Sequence, residues 1–161
     1  MQATSVNRFR VPSLRSPILV SPTKSPNALK EAGMPGFTVK KLDEVADVSG
    51  DYPGEMRMMA GDLGNEQVAL TYRRMPQHTG GKGSYGHRHE EQEEVYFVIS
   101  GKLLFKLDDE VIELGPGTAI RVGHEVFRSI WNEEAEDGQL IIVSTRLEDT
   151  KPEYKQDFWP F

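Results

Sequence analysis

At 161 residues the chain is long enough for one domain with its own core and too short for a comfortable second one. With 37% hydrophobic and 27% charged residues it reads as a soluble globular protein, and no stretch approaches the roughly 20 apolar residues needed to cross a bilayer. The lack of cysteine excludes disulfides, thiolate metal sites, iron–sulfur clusters and cysteine nucleophiles, while a net charge of −6 argues against nucleic acid as a partner.

The charge is uneven. Residues 1–30 carry +5 from Arg8, Arg10, Arg15, Lys24 and Lys30 without one acid, leaving −11 on the rest. The same stretch holds three Ser-Pro pairs and no apolar period. An Arg- and Ser-rich, acid-free leader has the composition of an organelle transit peptide, but Pro12, Pro17 and Pro22 would break the amphipathic helix of such a segment. The expectation is an extended arm over residues 1–36, loose or laid across a second subunit, in a cytoplasmic protein. An organelle location is the alternative. Within the arm, Ser25, Pro26 and Gly33 read as the N-cap, first residue and terminator of one short helix.

From Phe37 the pattern changes to short β-type runs between Gly, Pro, Asn and Asp. They are FTVKKL (37–42), EMRMMA (55–60), QVALTYRR (67–74), EVYFVIS (94–100), KLLFKLD (102–108), VIEL (111–114), TAIRV (118–122), VFRSIW (126–131) and QLIIVST (139–145). Nine such runs with no helical period predict an all-β antiparallel sandwich or barrel over residues 37–146. The glycine-rich stretch TGGKGSYG (79–86) lacks phosphate-loop spacing and reads as a mobile rim. Residues 147–161 read as a polar linker ending in Phe158, Trp159 and Phe161. Aromatic side chains this large are costly to leave in water, so docking on the outside of the barrel, or across a dimer interface, is expected.

The chemistry concentrates in residues 87–94, HRHEEQEE. On an extended strand His87 and His89 leave the same face. A tight connection through residues 90–93 can then bring Glu94, the first residue of an apolar run, beside them. Two imidazoles and one carboxylate on one side of an ion form the facial triad that suits Fe(II), with Mn, Ni, Cu or Zn also possible. In the following run Glu94, Tyr96, Val98 and Ser100 share one face, and Val95, Phe97 and Ile99 the other.

The spacing Gly81, five residues, His87, one, His89, four, Glu94, six, Gly101 resembles the first motif of the cupin family. The resemblance covers about residues 55–146. It implies a small cupin-type jelly-roll β-barrel with its ligand pocket inside, a divalent metal on His87, His89 and Glu94, and a homodimer. Glu93 is the rival in register, and the six-residue gap to Gly101 favours Glu94. The family's second motif is degenerate. Gly117 and Asn132 fit it, but Gly123 and Glu125 stand where Pro and Gly belong, and Arg128 stands where the fourth ligand, a histidine, belongs.

Arginine stays protonated and offers no lone pair. A +1 and a +2 charge at about 5 Å repel by roughly 7 kcal/mol at an effective dielectric near 20. Three outcomes follow: Arg128 grips an acidic group of a substrate beside a three-ligand metal, pairs with Glu94 or Glu93 in place of the metal, or turns to solvent. Tyr85 and Tyr96 are candidates to orient a small anionic ligand. His124 reads as a solvent-facing turn residue and His78 as structural, while Trp131 is expected to pack against the arm or a neighbouring subunit. No nucleophile triad or nucleotide fingerprint is visible. The resemblance leaves dioxygenase-like, isomerase-like and purely binding roles open.

Overall fold

Alternating apolar and polar residues between turn signals produce two antiparallel sheets in the computed structural model, which describes residues 36–147 and 151–161. Residues 1–35, with the expected arm and its helix, lie outside the described residues. One sheet has the order β1 (Glu55–Met58), β2 (Val68–Met75), β10 (Gly138–Thr145), β5 (Glu94–Ser100), β8 (Ala119–Val122). The other runs β11 (Glu153–Trp159), β4 (Ser84–Arg88), β9 (Arg128–Asn132), β6 (Leu103–Leu107), β7 (Glu110–Leu114), with β3 (Thr79–Gly80) also on β9. Strands distant in sequence are neighbours, which makes this a jelly roll rather than a meander. No helix among the described residues is long and apolar enough to cross a membrane.

The inner faces meet in one core of Met75, Tyr96, Val98, Leu103, Phe105, Val122, Ile130 and Leu140. The alternation read for residues 94–100 holds: Glu94, Tyr96 and Val98 are buried, while Phe97 and Ile99 are each 43% exposed on the outer face. Gly101 turns the chain from β5 into β6 at φ +70, where a Cβ would also stand 2.7 Å from the Asp137 carbonyl oxygen.

Eight of the nine runs contain a strand; residues 37–42 do not. A 3₁₀ turn forms at Leu42–Glu44, and the residues that follow it meet the edge of the sheet at the isolated bridge Asp47–Arg57 rather than through a strand of their own. The carboxylate of Asp47 accepts from the Ser49 N–H at 2.9 Å, the Ser49 hydroxyl at 2.7 Å and the Met56 N–H at 3.1 Å, so side-chain capping replaces the ladder.

Three further readings are corrected. Residues 153–159 are a strand paired with β4, not a polar linker, and Phe158 and Trp159 bury themselves against Trp131 on the outside of the barrel. Trp131 therefore takes the C-terminal aromatic residues as its partner, including Phe161 at a ring separation of 5.9 Å. Gly83 and Gly86 are the seat for these rings, and Gly80 and Gly81 pack against β9, so the stretch is held to the sheet rather than forming a rim. A Cβ on Gly86 would stand 2.2 Å from the Phe158 ring, and one on Gly83 1.8 Å from Phe161.

Candidate metal centre

β4 carries the two histidines at alternate positions, and β11 holds that strand through Glu153–Arg88, Tyr154–His87 and Lys155–Gly86 pairs. Across β4, His87 lies in register with Arg128 of β9. Glu94 opens β5 in the facing sheet. Folding thus places one ligand atom each of His87, His89 and Glu94 within 4.8 Å of one another. Glu93, the rival, points outward to Arg121 at 2.5 Å. Gln92 is buried and donates to the Ser144 hydroxyl at 3.0 Å and to the Thr145 carbonyl, which anchors the turn that delivers Glu94.

Arg128 is 0% exposed. Its Nε and Nη2 donate to Glu94 Oε2 at 3.0 and 2.7 Å, and its Nη1 to the Val126 carbonyl at 3.3 Å. This is the pairing outcome, and the solvent-facing one is corrected: a strand residue in register with His87 faces the barrel interior. Tyr96, 2% exposed, also donates to Glu94 Oε2. Three donors therefore hold one carboxylate oxygen. The other, Oε1, faces His89 Nε2 at 3.4 Å. Tyr85 is 44% exposed and stacks edge-on against Tyr154 at 5.1 Å. His124 is exposed beside Glu125, and His78 stacks on Trp131.

The protonation states suit a metal, because ligation needs neutral imidazole and ionised carboxylate. Burial, aided by the Arg128 charge, lowers His87 from 6.5 to about 4. Burial alone would raise Glu94, but His89, Arg128 and Tyr96 outweigh it and lower the carboxyl from 4.5 to about 2. Two features oppose a metal. The Arg128 charge is close, and the buried His89 Nδ1 has no hydrogen-bond partner among the described residues, although metal-bound imidazoles usually have one. The donor set fits an ion held by three protein ligands, since Arg128 and Tyr96 occupy only Oε2 and leave Oε1 to complete the triad.

Both groups bind fewer protons folded than unfolded at mildly acid pH, so stability is full above about pH 6.5. It falls as pH drops from 6.5 through 4 for His87, and from 4.5 towards 2 for Glu94. Metal-stripped protein should accordingly melt at progressively lower temperature between pH 7 and 4, with the upper part of that slope flattened in His87→Gln. A melting temperature independent of pH over this range would contradict the arrangement.

Fold and site together define a class: a two-sheet antiparallel β-barrel with a two-histidine, one-glutamate cluster on its inner face. Residues 74–144 match the family model described as Cupin domain, and this match supports a cupin family assignment. Solved structures of similar fold include a sugar phosphate isomerase of the cupin superfamily from Silicibacter pomeroyi, 18% identical with a TM-score of 0.60 over 77% of this chain and 96% of that one. The polyketide cyclase RemF from Streptomyces resistomycificus is 16% identical with a TM-score of 0.60, covering 75% and 88% of the two chains. KdgF from Halomonas sp. is 17% identical with a TM-score of 0.56, covering 70% and 98%. At these identities the likeness is one of fold. No curated protein matches the chain in sequence.

Proposed function

We propose that this protein binds a divalent metal through His87, His89 and Glu94 and acts on a small anionic organic molecule, in a dioxygenase-like or isomerase-like reaction. The clustering of the three ligand atoms within 4.8 Å carries the reading. A bound ion with open positions supplies Lewis acidity toward a substrate oxygen and, if it is Fe(II), a site for O₂. In this reading Arg128 and Tyr96 position Glu94 by holding Oε2, and they do not touch substrate. Tyr85, half exposed and one turn of alternation before His87, contacts the ligand. The homodimer expected from the resemblance belongs to the same reading, with Phe97 and Ile99 offering apolar surface for it.

A second reading has its own support in the 2.7 Å contact of Arg128 Nη2 with Glu94. There the ion pair replaces the metal, and the barrel binds a ligand without converting it. Metal analysis of protein purified without added metal separates the two. Near-stoichiometric metal, lost in His87→Ala and in His89→Ala, is the expected result. Protein that stays empty after soaking in Fe(II), Mn(II), Ni(II) and Zn(II) leaves only the second reading.

A further inference from the structure

Neighbouring residues on a strand point to opposite faces, so the adjacent pair Arg73–Arg74 must send one guanidinium outward and one inward. Arg74 goes outward and is satisfied by Glu55 at 3.2 Å and Asp137 at 2.8 Å. Arg73 shares the inner face with the core residue Met75, two positions on. Its cross-strand partner on β10 is Leu140, and Leu140 in turn pairs with Val98, both fully buried. Arg73 is itself half-buried, and among the described residues it makes no ion pair and no side-chain hydrogen bond.

Its surroundings differ from those of Arg128. The side chains that act on it are the phenols of Tyr52, Tyr85 and Tyr96, with no carboxylate among them. Tyr52 is fixed beside β3, its hydroxyl accepting from the Gly80 N–H at 2.7 Å and donating to the Gly80 carbonyl at 3.1 Å. Arg73 also acts on His87, adding to the forces that keep that imidazole neutral. Among the described residues the inner faces of these strands therefore set the guanidinium groups of Arg73 and Arg128 against the carboxylate of Glu94, and Arg128 already takes that carboxylate. An inward cation without a counter-ion lowers stability unless something outside the chain pairs with it.

We propose that Arg73 is the anion anchor of this barrel, gripping a small carboxylate or phosphate that lies between it and the His87–His89–Glu94 cluster. Guanidinium presents a planar fork that matches either oxyanion with two hydrogen bonds. Tyr52 and Tyr85 then flank the organic part of the ligand. The inference rests on the reading that the barrel interior is a ligand site, but it does not require the metal. It also moves the anchoring role, assigned from sequence to Arg128, onto a residue that is free to perform it.

The test is calorimetric titration of metal-stripped full-length protein with inorganic phosphate and, separately, malonate, at an ionic strength held constant with chloride. At least one probe should bind wild type near 1:1 and lose roughly 10- to 100-fold in affinity in Arg73→Met, with Arg73→Lys between the two. Phosphate alone binding assigns a phosphate ligand, and malonate alone a carboxylate. Arg121→Met, which removes the same charge from the outer face, should bind as wild type does. Without anion, Arg73→Met should melt no lower than wild type, because it deletes an unpaired inward charge; a structural arginine would lower the melting temperature. Equal affinity in Arg73→Met, no binding to wild type above chloride, or a clear loss of melting temperature in Arg73→Met each overturns the proposal. Arg73-dependent binding in protein that takes up no metal leaves the anchor standing and removes the metal. Binding that appears only after metal loading and ignores Arg73→Met does the reverse.

Discussion

Replacing Glu94 by alanine should cost about 3–5 kcal/mol of folding stability, even in metal-free protein. The loss comes from what the carboxylate leaves behind: a fully buried Arg128 whose Nε and Nη2 lose their acceptor, and a buried Tyr96 hydroxyl that loses its own. Denaturant unfolding of Glu94→Ala, Arg128→Met and the double variant reads this directly. The double variant should be more stable than Glu94→Ala by about 1–3 kcal/mol, because removing both charges is milder than stranding one. Additive losses, or a cost below about 1 kcal/mol for Glu94→Ala, would show that the pair is not a buried ionic contact. Glu94→Ala should also abolish metal binding, whereas Arg128→Met should keep some of it, since Oε1 remains.

The second large effect lies outside the barrel. Phe158→Ala should destabilise by about 3–5 kcal/mol, the range for a buried phenylalanine truncated in a packed cluster. Phe158 fills the space over Gly86 and packs with Trp131 and Trp159. Lys106 and Lys155 lie over its ring at 5.2 and 5.6 Å. The consequence for the site is specific, because β11 is the only neighbour of β4 on that side of the sheet order among the described residues. Loosening β11 should raise hydrogen-exchange rates in Ser84–Arg88 and weaken metal binding through His87 and His89, neither of which Phe158 touches. Gln156→Ala, at an exposed residue of the same strand, should cost under about 1 kcal/mol and serves as the control. Unchanged exchange in β4 would detach the aromatic cluster from the site.

Sequence alone determined the class of fold and the cluster of candidate ligands. Period-two alternation between turn residues is a local property, so eight apolar runs could be read as strands without knowing their partners. The same periodicity put Glu94, Tyr96 and Val98 on one face, and the likeness of the Gly81, His87, His89, Glu94, Gly101 spacing to the first cupin motif implied the barrel. What sequence could not reach was pairing at a distance. The polar strand β11 has no alternation of its own and exists because β4 offers it an edge; the same edge turned a supposed rim of glycines into a seat for Phe158 and Phe161. The fate of Arg128 depended on a carboxylate 34 positions away: the register of β4 with β9 turned the arginine inward, and the packing of the two sheets brought it onto Glu94 of β5. Arg73 lies between these cases. Two adjacent arginines on a barrel strand signal that one must face the core, but which one, and whether an acid awaits it there, is decided by the neighbours that folding supplies.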